Sequence, residues 1–210
     1  MSNIKHTLAA ALFAAALIPA ASAVAERPAV GAIDKVQLRA EAIYGGDARR
    51  LADGAPVIFE DRLQTGKKAR LQSTLKDGTK LTLGENASLV VDEFAYDPAR
   101  EGGKLAFEVV QGAFLFVGGA IEGKTGGNVD ITTPIGTLGV RGTTVWGGTI
   151  DDGYGILVLD GEVVVSTAGG AVTLKAGEAT MIMHPMHGPS APHAWPQEKI
   201  DRAVKTISFN

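Results

Sequence analysis

The segment TTPIGTLGVRGTTVWGG, residues 132–148, carries one charge, Arg141, and no other charged side chain stands between Asp130 and Asp151. A guanidinium in such a run has two uses. It can tie its fork to backbone carbonyls or to a carboxylate such as Asp130, Asp160 or Glu162, and so clamp neighbouring strands. Alternatively it can face an anionic ligand or a partner's carboxylate from a glycine-lined groove. The clamp is the expected use, because burying an unpaired arginine is very costly. Thr143, Trp146 and Tyr154 join Arg141 as the candidate ligand- or partner-binding set.

A second constellation is MIMHPMH (181–187), with His193 six residues on. Thioethers and imidazoles together suit a soft metal, copper above all. His184, His187 and Met186 are the candidate metal ligands. Against this, Met181 and Met183 alternate with Ile182 as strand residues do, so ordinary packing is the expected role there. Hydrolytic chemistry has little to work with: there is no cysteine, no Gly-x-Ser-x-Gly elbow, and no histidine between residues 26 and 183 to act as base. The paired acids Asp151-Asp152 and Asp92-Glu93 read as a hairpin turn and a water-facing strand edge. No Gly-x-Gly-x-x-Gly joins a strand to a helix. An enzyme is not expected, and neither is a cofactor.

The chain has 210 residues, enough for one ordinary domain with a real core. Its start, MSNIKHTLAAALFAAALIPAASA, has the three-part layout of a secretory leader: Lys5, an apolar run from Leu8 to Ile18, then small residues. A signal peptide is expected over 1–25, cleaved after Ala23 or Ala25. The run is too short to span a bilayer, which takes roughly 20 apolar residues. Export to the periplasm is therefore expected, or release to the outside, with no stable membrane insertion once the leader is gone. Loss of Lys5 moves the net charge from −3 to about −4. Nothing in that balance suggests a nucleic-acid partner, which calls for a clustered basic face.

From Tyr44 onward the text is β-like. Leu71, Leu75, Leu81 and Leu83 alternate with polar neighbours, and glycine pairs and Asp-Gly punctuate the runs. The fold class expected is all-β: a twisted β-sandwich, jelly-roll-like, or a short β-solenoid of many short strands. Residues 26–44 read as a lead-in, helical in part or a first strand. Residues 45–183 read as the β domain, and 184–210 as a proline- and histidine-rich linker with a short C-terminal helix. In that helix Ile200, Ala203, Val204 and Ile207 recur at helical spacing.

Several stretches, in order, resemble one family: LKDGTKLTLGENASLVVDEFAYDP (75–98), VVQGAFLFVGGAI (109–121), ITTPIGTLGVRGTTVW (131–146) and VLDGEVVVSTAGGAVTLKAGE (158–178). They are similar to the FecR domain, a periplasmic sensing module of ferric-citrate signalling. The most specific piece is TP-x-G-x-x-x-V-R-G-T, carried by Thr133, Pro134, Gly136, Val140, Arg141, Gly142 and Thr143. The resemblance implies a sensing or binding module that docks a protein partner or a ligand, in envelope signalling tied to iron. In the iron-signalling members the domain is similar to the outer half of a membrane-spanning anti-sigma regulator, whereas a leader is expected at the start of this chain. An unspecified envelope protein is thus the expected partner. Two alternatives stand beside it. One is a self-associating structural protein of the envelope. The other is a cupin-like metal-binding protein, suggested by residues 158–182 but lacking the early histidine cluster.

Overall fold

A computed structural model describes residues 27–123 and 125–210. The leader expected over 1–25 lies outside the described residues. In chain order the strands are β1 (Ala29–Gln37), β2 (Ala40–Tyr44), β3 (Asp47–Arg50), β4 (Pro56–Ile58), β5 (Arg62–Thr65), β6 (Arg70–Leu75), β7 (Lys80–Leu83), β8 (Ser88–Ala95), β9 (Gly103–Gln111) and β10 (Phe114–Val117). After the single turn α1 (Ala120–Gly123) come β11 (Gly127–Thr133), β12 (Gly136–Ile150), β13 (Gly153–Thr167), β14 (Gly170–Lys175) and β15 (Ala179–Ile182), then α2 (Gln197–Lys205). The chain is all-β, as its alternation implies, and forms one curled open sheet.

The sheet has two walls that share one long hairpin. One wall runs β3-β2-β5-β8-β9-β11 and reaches the first half of β12, and the other runs β4-β1-β6-β7-β10 and reaches its second half. Strand β13 follows β12 along its length, then pairs β15 with its first half and β14 with its second. The Asp151–Asp152 turn closes this hairpin with left-handed φ of 49° and 62°, the backbone a tight hairpin turn requires. Between the walls lies the main core, with Leu63, Leu89 and Phe107 from one side and Leu71, Leu83 and Phe116 from the other. Phe107 and Phe116 meet across it edge to face at 6.0 Å.

The segment expected to be a lead-in belongs to the sheet: β1 lies between β4 and β6. Its buried residues, Val30 and Ile33, are three apart and hint at a helix, but the register breaks between Ala29 and Gly31 and again between Ile33 and Lys35. Each bulge shifts the in–out phase by one residue and disguises the strand period.

A second core sits on the outer face of the shared hairpin. Trp146 and Leu157 point away from the main core and are covered by Trp195, Ala203 and Ile207 of the C-terminal strap. Trp146 and Trp195 pack edge to face at 6.0 Å, and Trp146 Nε1–H donates to Thr206 Oγ1 at 3.0 Å. Gly155 makes room, since a Cβ there would lie 2.5 Å from the Trp195 ring. The strap is also tied electrostatically. Arg202 and Lys199 reach Asp151 at 2.6 and 3.0 Å, and these hydrogen bonds, that of Arg202 foremost, hold its carboxyl down at about 2. Among the described residues no helix is long and apolar enough to cross a membrane.

Trp195→Ala opens the second core and costs about 3–5 kcal/mol. Urea unfolding should show that loss, and the emission of Trp146, the one remaining tryptophan, should shift to the red. The Asp151 contribution is complete above the ordinary carboxylate value of 3.8 and is lost as pH falls through about 2. An acid titration of tryptophan emission should therefore be flat from pH 8 to 4 as far as this tie is concerned, and a strap released near pH 4 would contradict it.

Candidate functional site

The VRGT element is where β12 crosses from one wall to the other. Val140 still faces the main core, and then the register with β13 breaks between Arg141 and Thr144. Gly142 takes the left-handed φ of 60° that this bulge needs. Opposite it, Gly161 has φ 79° and lies so close that any Cβ there would strike the Gly142 carbonyl. Thr143, 4% exposed, stitches the corner. Its Oγ1 accepts the Arg141 N–H at 2.8 Å and donates to the Glu162 carbonyl at 3.2 Å. Its own N–H donates to Glu122 Oε2 at 3.0 Å, and its carbonyl accepts the Gly118 N–H at 2.8 Å.

Glu122, on α1, is the residue that sequence reading missed. One carboxylate oxygen holds the corner, while the other, Oε1, is buried with no hydrogen-bond partner among the described residues. Burial is the main cause that lifts its pKa, the Thr143 N–H opposes this, and the neighbouring charge of Asp77 adds to the lift. Asp77 is itself buried and bound to Thr79, whose N–H and Oγ1 donate to its two oxygens at 3.1 and 2.8 Å. The available signal was thin: Glu122 is a lone acid in the stretch between the Gly118-Gly119 and Gly126-Gly127 pairs.

Glu122 separates two hollows. The larger, about 540 Å³, is lined by Glu122, Gly126, Asn128, Val140 and Arg141 among others. The smaller, about 250 Å³, is lined by Gly119, Glu122, Thr144 and Asp160 among others. Arg141 is exposed, and its guanidinium makes no hydrogen bond or ion pair among the described residues. The three acids expected to clamp it do not. Asn128 Nδ2 binds Asp130 at 2.6 Å, and Glu162 stands across the strands in register with Arg141 without an ion pair. The clamp at this corner is Thr143 with Glu122, and the Arg141 side chain takes no part in it among the described residues.

The two aromatic candidates are not at the surface. Trp146 is fully buried in the second core, and Tyr154 is 8% exposed with its hydroxyl buried and without a hydrogen-bond partner among the described residues. Burial also holds the Tyr154 phenol well above its ordinary pKa. The candidate metal ligands lie elsewhere, on the loop after β15. His184 and His187 stand with ring centroids 5.3 Å apart, and Met186 between them is 67% exposed. His193 is held apart from this pair through its backbone, which bridges to Ala179.

Because the folded-state pKa of Glu122 is raised, its ionisation costs stability as pH rises, and the cost is complete above that pKa. Glu122→Gln keeps an oxygen for the Thr143 N–H and removes the charge. Its melting temperature should equal or exceed the parent's at pH 8, with any gap closing toward pH 4. Glu122→Ala leaves that N–H unpaired and should cost about 1–3 kcal/mol at either pH. A glutamine variant less stable than the alanine variant would refute this account.

Comparison with known proteins bears on the same region. Residues 61–164 match the model of the FecR protein family, a stretch from the end of the loop before β5 to the middle of β13. Two crystal structures of a candidate anti-sigma factor from Parabacteroides distasonis ATCC 8503, at 2.50 and 1.65 Å resolution, share the architecture. Their TM-scores are 0.54 and 0.52 at 16% and 15% identity, and each alignment covers 71% of this chain and 67% of theirs. Identity at that level shows a common fold. No curated protein matches the sequence. With the TP-x-G-x-x-x-V-R-G-T element forming the corner inside the matched stretch, the chain carries a FecR domain over residues 61–164.

Proposed function

We propose that the chain is an exported, non-enzymatic envelope signalling module that docks a protein partner, with Arg141 at the docking face. One observation carries this reading: the corner of the FecR domain is fully stitched without Arg141, which leaves a guanidinium exposed at the rim of an open hollow. Such a fork suits a partner's carboxylate or a row of its backbone carbonyls. The FecR family match and the fold shared with a candidate anti-sigma factor support a signalling role. The leader-like start supports the periplasm as its place, and a link to iron rests on the family resemblance. Self-association is the second reading, favoured by β14, which pairs β13 on one side and, among the described residues, no strand on the other.

Gly139 is the position for a photo-crosslinking residue. It lies two residues before Arg141, and a Cβ built there meets no atom within 4 Å. Irradiation of intact cells should capture one envelope protein, and Arg141→Glu should abolish the capture with folding stability changed by no more than about 0.5 kcal/mol. Undiminished capture by that variant would remove Arg141 from the face. Capture of only a second copy of the chain would favour self-association.

A further inference from the structure

The loop after β15 carries a feature that docking at Arg141 does not use. Met183 and Met186 are 62% and 67% exposed, while most large apolar side chains of this chain are buried. They alternate with His184 and His187, whose rings stand 5.3 Å apart at 49°. The segment is a defined turn: the His187 N–H donates to the His184 carbonyl at 2.9 Å, and the Met186 N–H donates to His184 Nδ1 at 3.2 Å. It is also fastened to the β13–β14 hairpin. Thr167 Oγ1 donates to the His187 carbonyl at 3.1 Å, and Gly169 lies so close to Gly188 that a Cβ would not fit between them.

We propose that Met183, His184, Met186 and His187 form a binding site for a soft monovalent cation, Cu(I). Two imidazoles and two thioethers make the donor set that soft Cu(I) favours and that harder divalent ions do not. Among the described residues no group of three or more His, Cys, Asp or Glu is placed to hold a metal, so a hard ion would find only the two rings. The chain has no cysteine to compete for Cu(I). His184 Nδ1 presents its lone pair to the exposed Met186 N–H, a long hydrogen bond that the cation would displace at small cost. The Met183 sulfur lies beside Gly153, 2.8 Å from where a Cβ on that glycine would stand, on a side chain 62% exposed. Met181 is not part of the set: it is half-buried in the second core, with Lys199 Nζ 3.4 Å from its sulfur. No change of oxidation state is needed, because the cation is captured as Cu(I).

The test is an anaerobic titration of the full chain with Cu(I) in competition with the chromophoric chelator bicinchoninate. One equivalent should be withdrawn from the chelator. His184→Ala/His187→Ala and Met183→Leu/Met186→Leu should each weaken binding by at least about tenfold, roughly 1.4 kcal/mol. Both pairs are exposed, so the thermal unfolding of each variant should match the parent's. With Ag(I) as a redox-inert stand-in, the methyl NMR signals of Met183 and Met186 should move and that of Met181 should not. The proposal is overturned if the parent withdraws no Cu(I). It is equally overturned if the methionine variant binds as well as the parent, since a bare histidine pair would then account for the binding.

Discussion

Everything in this fold depends on β12 leaving one wall and entering the other without losing its backbone hydrogen bonds. The chain has no cysteine, so no disulfide can staple that crossing. A bulge at Arg141–Thr144 makes it, and a bulge strands donors and acceptors that the regular ladder would have satisfied. One threonine hydroxyl and one carboxylate take them up: the N–H groups of residues 141 and 143 and the carbonyl of residue 162. Each bond adds only about 0.5–1.5 kcal/mol net, but leaving its buried group unpaired costs about 1–3 kcal/mol. The corner therefore specifies register as much as stability. Val145 faces the main core and Trp146 the second. A slip of one residue would exchange them and put an indole where a valine fits.

The second core follows from that crossing. In its second half β12 is buried on both faces, as is the first half of β13, so neither side can be polar. Glycine solves the crowding. At Gly147 a Cβ would collide with the Phe114 ring on one side, and at Gly155 with Trp195 on the other. Covering the outer face requires a separate element, and the strap supplies it with Trp195 and the buried side of α2. The fit is not complete in its polar accounting, since Trp195 Nε1 and Tyr154 Oη are buried without partners among the described residues. The apolar area removed from water by two tryptophans outweighs those losses, because such rings each bury on the order of 150–250 Å² at roughly 25 cal/mol per Å².

What the sequence disclosed was local. Leu71 and Leu75 alternate because the other face of β6 is half-exposed, while Phe114 and Phe116 alternate on the face of β10 that meets the main core, with Leu115 turned to the second. The Asp151-Asp152-Gly153 turn and the helix over 197–205 are likewise short-range patterns. The misreadings share a cause. Trp146 and Tyr154 sit in stretches buried on both faces, where alternation carries no information about which side meets water. For residues 26–44, read as helical in part or a first strand, the structure shows the strand, in which a bulge leaves Val30 and Ile33 three apart. Arg141 was assigned to a clamp on the argument that buried arginines need partners, yet the bulge turns it outward and the premise of burial fails. Glu122 was invisible because its partner, Thr143, is twenty-one residues away in sequence and meets it only through the fold.

That division of labour within TP-x-G-x-x-x-V-R-G-T bears on what the domain does. Thr133 closes the β11–β12 turn by donating to the Gly136 carbonyl at 2.8 Å. Pro134 suits the second position of such a turn, Val140 fills the core, Gly142 bends the strand, and Thr143 stitches it. Arg141 alone has no such task among the described residues. The corner fixes the backbone that carries Arg141, while its exposed side chain, without a hydrogen bond among the described residues, keeps its rotamer freedom. Glu122 ties this face to the rest of the fold. It lines the hollow beside Arg141 and also holds the Thr143 N–H of the corner on which both walls depend. One carboxylate thus borders the open hollow and fixes the corner at which the shared hairpin changes walls.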